Sequence, residues 1–135
     1  MTAPWAGLSL MLEAEFAATV HPLLQAGEVD VLEWSFDVGW ATPPPARAAD
    51  LLDHFASAGR LLGHGVTYSP LSAEWTVRQG EWLRSLTEEC SRRRYRHVSG
   101  HFGFLTAGTF HDGAPLPVPR TPEALAGGRD RLKRL

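Results

Sequence analysis

The sequence lacks the features that mark secreted, membrane-embedded and nucleic-acid-binding proteins. It contains one cysteine, Cys90, so no disulfide can form within the chain. No apolar run approaches the roughly 18–20 residues of a membrane-spanning helix, and no basic segment followed by an apolar run marks a signal peptide. The formal net charge of -2 gives no electrostatic reason to expect nucleic acid or an anionic membrane as a partner. We therefore expect a cytoplasmic protein that binds neither.

What the sequence does contain is typical of one globular domain covering residues 1–135. Apolar residues make up 44% of the chain and charged residues 21%, which is enough apolar material to bury a core. In the segment 74–90, Trp75, Trp82, Leu83, Leu86 and Cys90 follow the helical period. This stripe predicts that Trp75 and Trp82 lie in the core and that Cys90 is a buried, unreactive thiol.

The apolar pattern alternates between strand and helix along the chain. It predicts strands at 7–11, 29–36, 61–66 and 95–102, and helices at 16–27, 43–59, 74–90 and 121–135. A loop rich in glycine and proline is predicted at 103–120. Four β/α units in strict order predict an α/β fold with a parallel sheet and covering helices. The pattern fits both an open, doubly wound sheet and a (β/α)4 half of a TIM barrel.

Residues that can titrate or bind metal cluster near the carboxyl ends of the predicted strands, where α/β folds place their sites. These residues are Glu33, Asp37, His64 and His101, with His111 in the following loop. Two imidazoles at the ends of adjacent strands can share a metal, and nearby carboxylates favour iron or manganese over a thiolate-type zinc site. From composition alone, packing roles for the histidines and an ion pair for Glu33 remain open.

Three segments, in this order along the chain, resemble the motifs of a known family. Residues 62–69 (LGHGVTYS) resemble its strand-3 motif, and residues 98–102 (VSGHF) resemble its strand-4 motif. Residues 114–119 (APLPVP) followed by 121–125 (TPEAL) resemble a third segment. The family comprises the multinuclear non-haem iron TIM barrels, which include the methanobactin- and thiaglutamate-biosynthesis enzymes of natural-product pathways.

The resemblance implies the N-terminal half of a TIM barrel whose complete site binds two or three iron ions. It also implies oxidation of cysteine in a ribosomally made peptide by O₂, with a partner protein that presents the peptide. His64 and His101 match the family's iron ligands, and Glu33 matches a family glutamate without an assigned role. Asp37 and His111 are further candidates for the pocket wall. Gly100 departs from the family, which has an acidic residue there, and the ligands on strands 5 to 8 have no counterpart in this sequence.

Three functions are compatible with these observations. The chain is half of an iron-dependent oxidase, or a non-catalytic half barrel that acts as a scaffold or binds a partner. The third is an unrelated TIM-barrel isomerase or endonuclease-like enzyme, which would need further carboxylate ligands.

Four strands leave two open edges of the sheet. They also leave an inner face, which we expect to be apolar because it is formed by residues such as Leu10, Val31, Leu62 and Val98. These features predict a homodimer or a complementary half-barrel chain.

Overall fold

Strands and helices alternate along most of the chain in the computed structural model, which describes residues 4–135 except for the side chains at positions 112 and 113. The elements are β1 (Gly7–Ser9), α1 (Ala14–Gln25), β2 (Val31–Ser35), α2 (Ala46–Ser57), β3 (Leu61–Gly65), α3 (Val77–Arg92), β4 (His97–Gly100), β5 (Phe104–Ala107), β6 (Phe110–Leu116) and α4 (Pro122–Leu132). The first four strands form one parallel sheet in the order β1-β2-β3-β4. The predicted α/β class, with a parallel sheet and alternating helices, is therefore confirmed.

The core lies between the sheet and its helices. Leu32, Trp34 and Phe36 alternate along β2 and its end, and all three are buried. They pack with Leu52 and Phe55 of the amphipathic helix α2 in the same apolar cluster. Because alternate residues of a strand point to opposite faces, this packing identifies the helix-covered side of the sheet.

Two glycines of β3 let aromatic rings approach the sheet closely. A Cβ atom on Gly63 would lie 2.9 Å from Cδ1 of Tyr95, and one on Gly65 would lie 2.7 Å from Cζ2 of Trp82. Trp82 of α3 also stacks on Tyr68, with ring centroids 4.5 Å apart. The lack of side chains at these strand positions thus permits the dense packing of α3 on β3.

Substituting Gly65 with alanine is expected to destabilise the fold by about 2 kcal/mol, because the new methyl group must displace the indole of Trp82. Urea denaturation measures the effect. Gly80→Ala provides the matched control, since a Cβ at this position in α3 meets nothing within 4 Å, and it should stabilise the helix by about 0.5–1 kcal/mol. Equal stabilities of the Gly65→Ala variant and the wild type would contradict this packing.

The predicted loop at 103–120 contains an antiparallel hairpin, so that prediction was wrong for most of its length. Strands β5 and β6 pair with each other, and Gly108 occupies the connecting turn with φ at +52°. The rings of Phe104 and Phe110 stack across the hairpin with centroids 5.7 Å apart. Glycine and proline in this segment indicated a loop, whereas here they shape a turn and an irregular pair of strands.

The helix stripe predicted for α3 is correct at Trp82 and wrong at both of its ends. Trp75 lies before α3 and is 37% exposed, with the guanidinium of Arg134 4.3 Å from its ring centroid. Cys90 is exposed, and the neighbouring Glu89 occupies the inward position. The physical reason is that Glu89 has partners there, as its carboxylate accepts hydrogen bonds from Arg92, Arg93 and the hydroxyl of Tyr95.

Candidate metal centre

The sheet has an open face opposite its helix-covered side. Since Leu32 and Trp34 point to the helices, Glu33 and Ser35 point to the open face. Cross-strand partners share a face, so the pairs Ser9–Glu33, Glu33–Leu62, Ser35–His64 and His64–Ser99 place these residues together. The open face is therefore largely polar toward the carboxyl ends of the strands.

Of the four residues predicted to form an apolar inner face, two lie on the open face and two lie on the helix-covered side of the sheet. Val31 and Leu62 do share the face with Glu33. Leu10, however, packs against the core cluster on the helix side, and Val98 pairs with Gly63, whose position faces Phe36 and Tyr95. The prediction was wrong for Leu10 and Val98 because a shift of one residue along a strand moves a side chain to the other face.

His64 and His101 meet at the carboxyl end of the sheet. His64 is the fourth residue of β3, and His101 directly follows β4. The centroids of their rings are 5.2 Å apart, and the ring planes are inclined by 66°. The predicted proximity of the two imidazoles is therefore confirmed, while their role as metal ligands stays a prediction.

The hydroxyl of Ser99 holds the ring of His64. Ser99 Oγ lies 2.9 Å from Nδ1 of His64 and 3.3 Å from the carbonyl oxygen of Gly63, so it connects the imidazole to the backbone of its own strand. The hydrogen bond at Nδ1 leaves Nε2 outside this contact. A metal-binding histidine is commonly oriented in this way, through its second ring nitrogen.

The second imidazole has an unsatisfied nitrogen. Nδ1 of His101 is buried and has no hydrogen-bond partner among the residues that the structure describes. A buried polar atom without a partner costs about 1–3 kcal/mol. An ordered water or a bound ion beside the two imidazoles would supply the partner that this nitrogen lacks.

Asp37 follows β2 and is fully engaged by the segment after β3. Its carboxylate accepts hydrogen bonds from the backbone amides of Val66 and Thr67, from the hydroxyl of Thr67 and from the indole nitrogen of Trp82. These donors fix the chain that follows β3 and join it to α3, with most of the bonds made at Oδ2. The role of Asp37 is thus to position the end of β3.

The other two predicted candidates lie apart from each other. Glu33 is half-buried on the open face, where Ser9 Oγ donates to its Oε1 at 3.0 Å. His111 lies on β6 of the hairpin, with Nδ1 2.9 Å from the hydroxyl of Thr106. The structure therefore brings His64 and His101 together and leaves His111 in a separate element with its own contacts.

The loop between β3 and α3 is tied to the segment after His101 and to α4. Ser69 Oγ accepts hydrogen bonds from the amides of Leu71 and Gly103, which ties this loop to the segment after His101. Arg131 of α4 donates to the carbonyl oxygens of Pro70, Ser72 and Ala73. Sequence reasoning assigned no role to Ser99, Ser69 or Arg131. Ser99 and Ser69 had a signal, since they lie within the motifs VSGHF and LGHGVTYS, whereas Arg131 had none.

The ligand set is incomplete within the described part of the chain. Among those residues, no group of three or more His, Cys, Asp or Glu side chains is placed to hold a metal ion. The two imidazoles fit two positions of a metal centre, and the remaining positions need other donors.

Within the part of the chain that the structure describes, no helix is long and apolar enough to cross a membrane.

Comparison of the chain with protein-family models, curated proteins and solved structures finds no match in any of the three.

Proposed function

We propose that the chain is a (β/α)4 half of a TIM barrel and contributes two imidazole ligands to an iron centre. Four parallel strands in sequential order, with helices on one side, support the half-barrel architecture. The polar residues of the open face gather at the carboxyl edge of the sheet, where TIM barrels carry their active sites. On this proposal the open face is the inner surface of the barrel.

The observation that carries the proposal is the hydrogen bond between Ser99 and His64. It holds Nδ1 of His64 and leaves Nε2 outside this hydrogen bond, with the ring of His101 alongside. Metal-binding histidines are commonly oriented through their second ring nitrogen in this way. The buried, unpartnered Nδ1 of His101 adds a second sign that the pair serves a ligand.

The proposed activity is that of a multinuclear iron oxidase that modifies cysteine in a ribosomally made peptide. It rests on the motifs around His64 and His101, as does the expectation of a partner protein that presents the peptide. When bound, iron would supply the activation of O₂. Within this chain, Ser99 orients His64 and Asp37 fixes the segment after β3. The loop held by Arg131 is tied through Ser69 to the segment after His101. The missing ligands must come from another polypeptide segment.

A non-catalytic half barrel, acting as a scaffold or binding a partner, is the second candidate. The observation in its favour is that the described residues offer two metal ligands and no third one beside them. On this alternative the histidine pair has lost its metal, and the open face serves only to contact another protein. The two candidates differ in one measurable property, which is metal binding that depends on the histidines.

The test is a titration of the chain with Fe²⁺ without oxygen, or with Co²⁺ as an air-stable probe. We expect weak binding, because two neutral imidazoles leave most coordination positions to water. His64→Ala and His101→Ala should each abolish it, and Ser99→Ala should weaken it about tenfold, since the orienting partner of His64 is lost. His54→Ala, an exposed histidine on α2, is the matched control. Binding that survives in His64→Ala would favour the scaffold.

A further inference from the structure

An apolar groove of about 640 Å³ lies along α4. Its walls come from the helix itself, through Leu125 and Leu132, from Phe102 directly after His101, and from the segment that joins β6 to α4. Phe102 is 67% exposed, Leu125 61% and Leu132 45%. Large apolar side chains are commonly exposed one at a time, whereas several of them around one groove are typical of an interaction site.

The helix that forms one wall of the groove is anchored to the loop between β3 and α3 at two points. Arg131 donates to the carbonyl oxygens of Pro70 and Ala73. Gly128 lies so close to the same loop that a Cβ atom there would be 2.6 Å from Cδ2 of Leu71. A concave surface beside a helix held in this way suits a protein segment better than the surface of a membrane, which binds a free amphipathic helix.

The charge of the groove is positive. Its lining contains two arginines, Arg120 and Arg129, and no carboxylate. Neither arginine makes an ion pair with a side chain that the structure describes. The carboxylates of α4 are engaged elsewhere, since Asp130 pairs with Arg134 and Glu123 accepts a hydrogen bond from its own backbone amide. The two groove arginines are thus available to an acidic partner.

No residue of β4 lines the groove, so a ligand there is recognised through side chains and not by the addition of a strand to the sheet. Leu125 and Leu132 are seven residues apart on α4. This spacing corresponds to two helical turns, or about 11 Å, which a second helix with the same apolar period matches. We infer that the groove binds an acidic amphipathic helix of a partner protein. The apolar side chains of that helix contact Phe102, Leu125 and Leu132, and its carboxylates pair with the two groove arginines.

The inferred surface goes beyond the proposed metal centre and does not depend on it, since none of its residues is a proposed ligand. It adjoins that centre along the chain, because Phe102 directly follows His101. A partner docked in the groove would therefore lie beside the carboxyl edge of the sheet, where α/β folds place their sites.

Fluorescence anisotropy with two labelled synthetic peptides tests the inference. Both peptides are helical, roughly 14 residues long, and carry leucines on one face. The other face carries glutamates in the first peptide and lysines in the second. We expect the glutamate peptide to bind at least about tenfold more tightly, because the groove arginines repel the lysines. Its affinity should fall as salt is added, since the ion pairs lie at an exposed rim.

Substitutions in the groove should weaken binding of the glutamate peptide. We expect Leu125→Ala and Arg129→Gln each to lower its affinity about three- to tenfold, through lost apolar contact and a lost ion pair respectively. Val77→Ala and Arg78→Gln are the matched controls, since both residues are exposed on α3 and neither lines the groove. Both control variants should bind the peptide as the wild type does.

Equal binding of the two peptides, or binding of neither, would overturn the inference. A dimer that Leu125→Ala dissociates in light scattering would also overturn it, because a second copy would then occupy the groove. Binding to phosphatidylserine vesicles that the same variant weakens would overturn it in favour of lipid. The Co²⁺ titration of the wild type judges the metal centre separately. A chain that binds Co²⁺ and neither peptide refutes only this inference, and one that binds the glutamate peptide and no Co²⁺ refutes only the metal centre.

Discussion

Replacing Asp37 with alanine is expected to lower the free energy of unfolding by about 4 kcal/mol. The change removes the acceptor for two backbone amides, one hydroxyl and the indole nitrogen of Trp82, all in part-buried or buried surroundings. Each buried donor left without an acceptor costs about 1–3 kcal/mol, less where water can enter. Because Val66 and Thr67 directly follow β3, the loss should also loosen the backbone that positions His64.

Urea denaturation of Asp37→Ala, Asp37→Asn and Asp50→Asn measures this effect. Asp37→Asn keeps one acceptor oxygen and nearly the same shape, so it should lose about half as much stability as the alanine variant. Asp50 is an exposed carboxylate on α2, and its substitution should change the free energy of unfolding by less than about 0.5 kcal/mol. If Asp37→Ala lost less than about 1 kcal/mol, the segment after β3 would have to be held by other contacts.

The order and type of the first four strands and the four helices could be predicted because their signals are local. For example, a mainly apolar run bounded by polar turn residues predicts strand β2. The pair Thr121-Pro122 indicates the start of α4. In the structure Thr121 indeed accepts a hydrogen bond from the amide of Ala124 as the N-cap. The boundaries were less accurate, since β1 and β4 are shorter than the strands predicted at 7–11 and 95–102.

The hairpin β5–β6 could not be predicted in the same way. Its segment contains Gly103, Gly108, Pro115 and Pro117, which weaken any strand signal. The pairing is stabilised by contacts between residues on the two strands, such as the stacking of Phe104 on Phe110, and by the hydrogen bond from Gly103 to Ser69. These contacts depend on the tertiary structure, and the order of residues does not reveal them.

The candidate site was predictable in position and not in detail. Parallel strands end at one edge of a sheet, which is why His64 and His101 could be expected to meet there. The hydrogen bond that orients His64 depends on Ser99, whose hydroxyl reaches it because β3 and β4 pair in the register His64–Ser99. The faces on which Leu10 and Val98 lie depend on the position of each residue along its own strand, and one residue of error reverses them.

Substituting Glu89 with glutamine is expected to destabilise the fold by about 3 kcal/mol. Glu89 is 2% exposed, and its carboxylate accepts hydrogen bonds from Arg92, Arg93 and the hydroxyl of Tyr95. Glutamine removes the negative charge and turns an amide donor toward these donors. Arg93 is largely buried and, among the described side chains, keeps only Asp53 as an ionic partner, whereas the mostly exposed Arg92 contributes little. The exposed neighbour Glu88→Gln is the matched control and should be nearly neutral.

The same substitution should change how stability depends on alkaline pH. Burial, and then the hydrogen bond to Glu89, raise the pKa of Tyr95 above its ordinary value of 10.0. As the pH rises past about 10, the phenol ionises first in the unfolded chain, so the stabilisation present at lower pH is progressively lost. In Glu89→Gln one cause of the raised pKa is gone, and the alkaline loss should be smaller. Denaturation between pH 8 and pH 11 (roughly one unit above the ordinary tyrosine pKa) measures it. A steeper alkaline loss in the variant than in the wild type would show that Glu89 does not hold the Tyr95 proton.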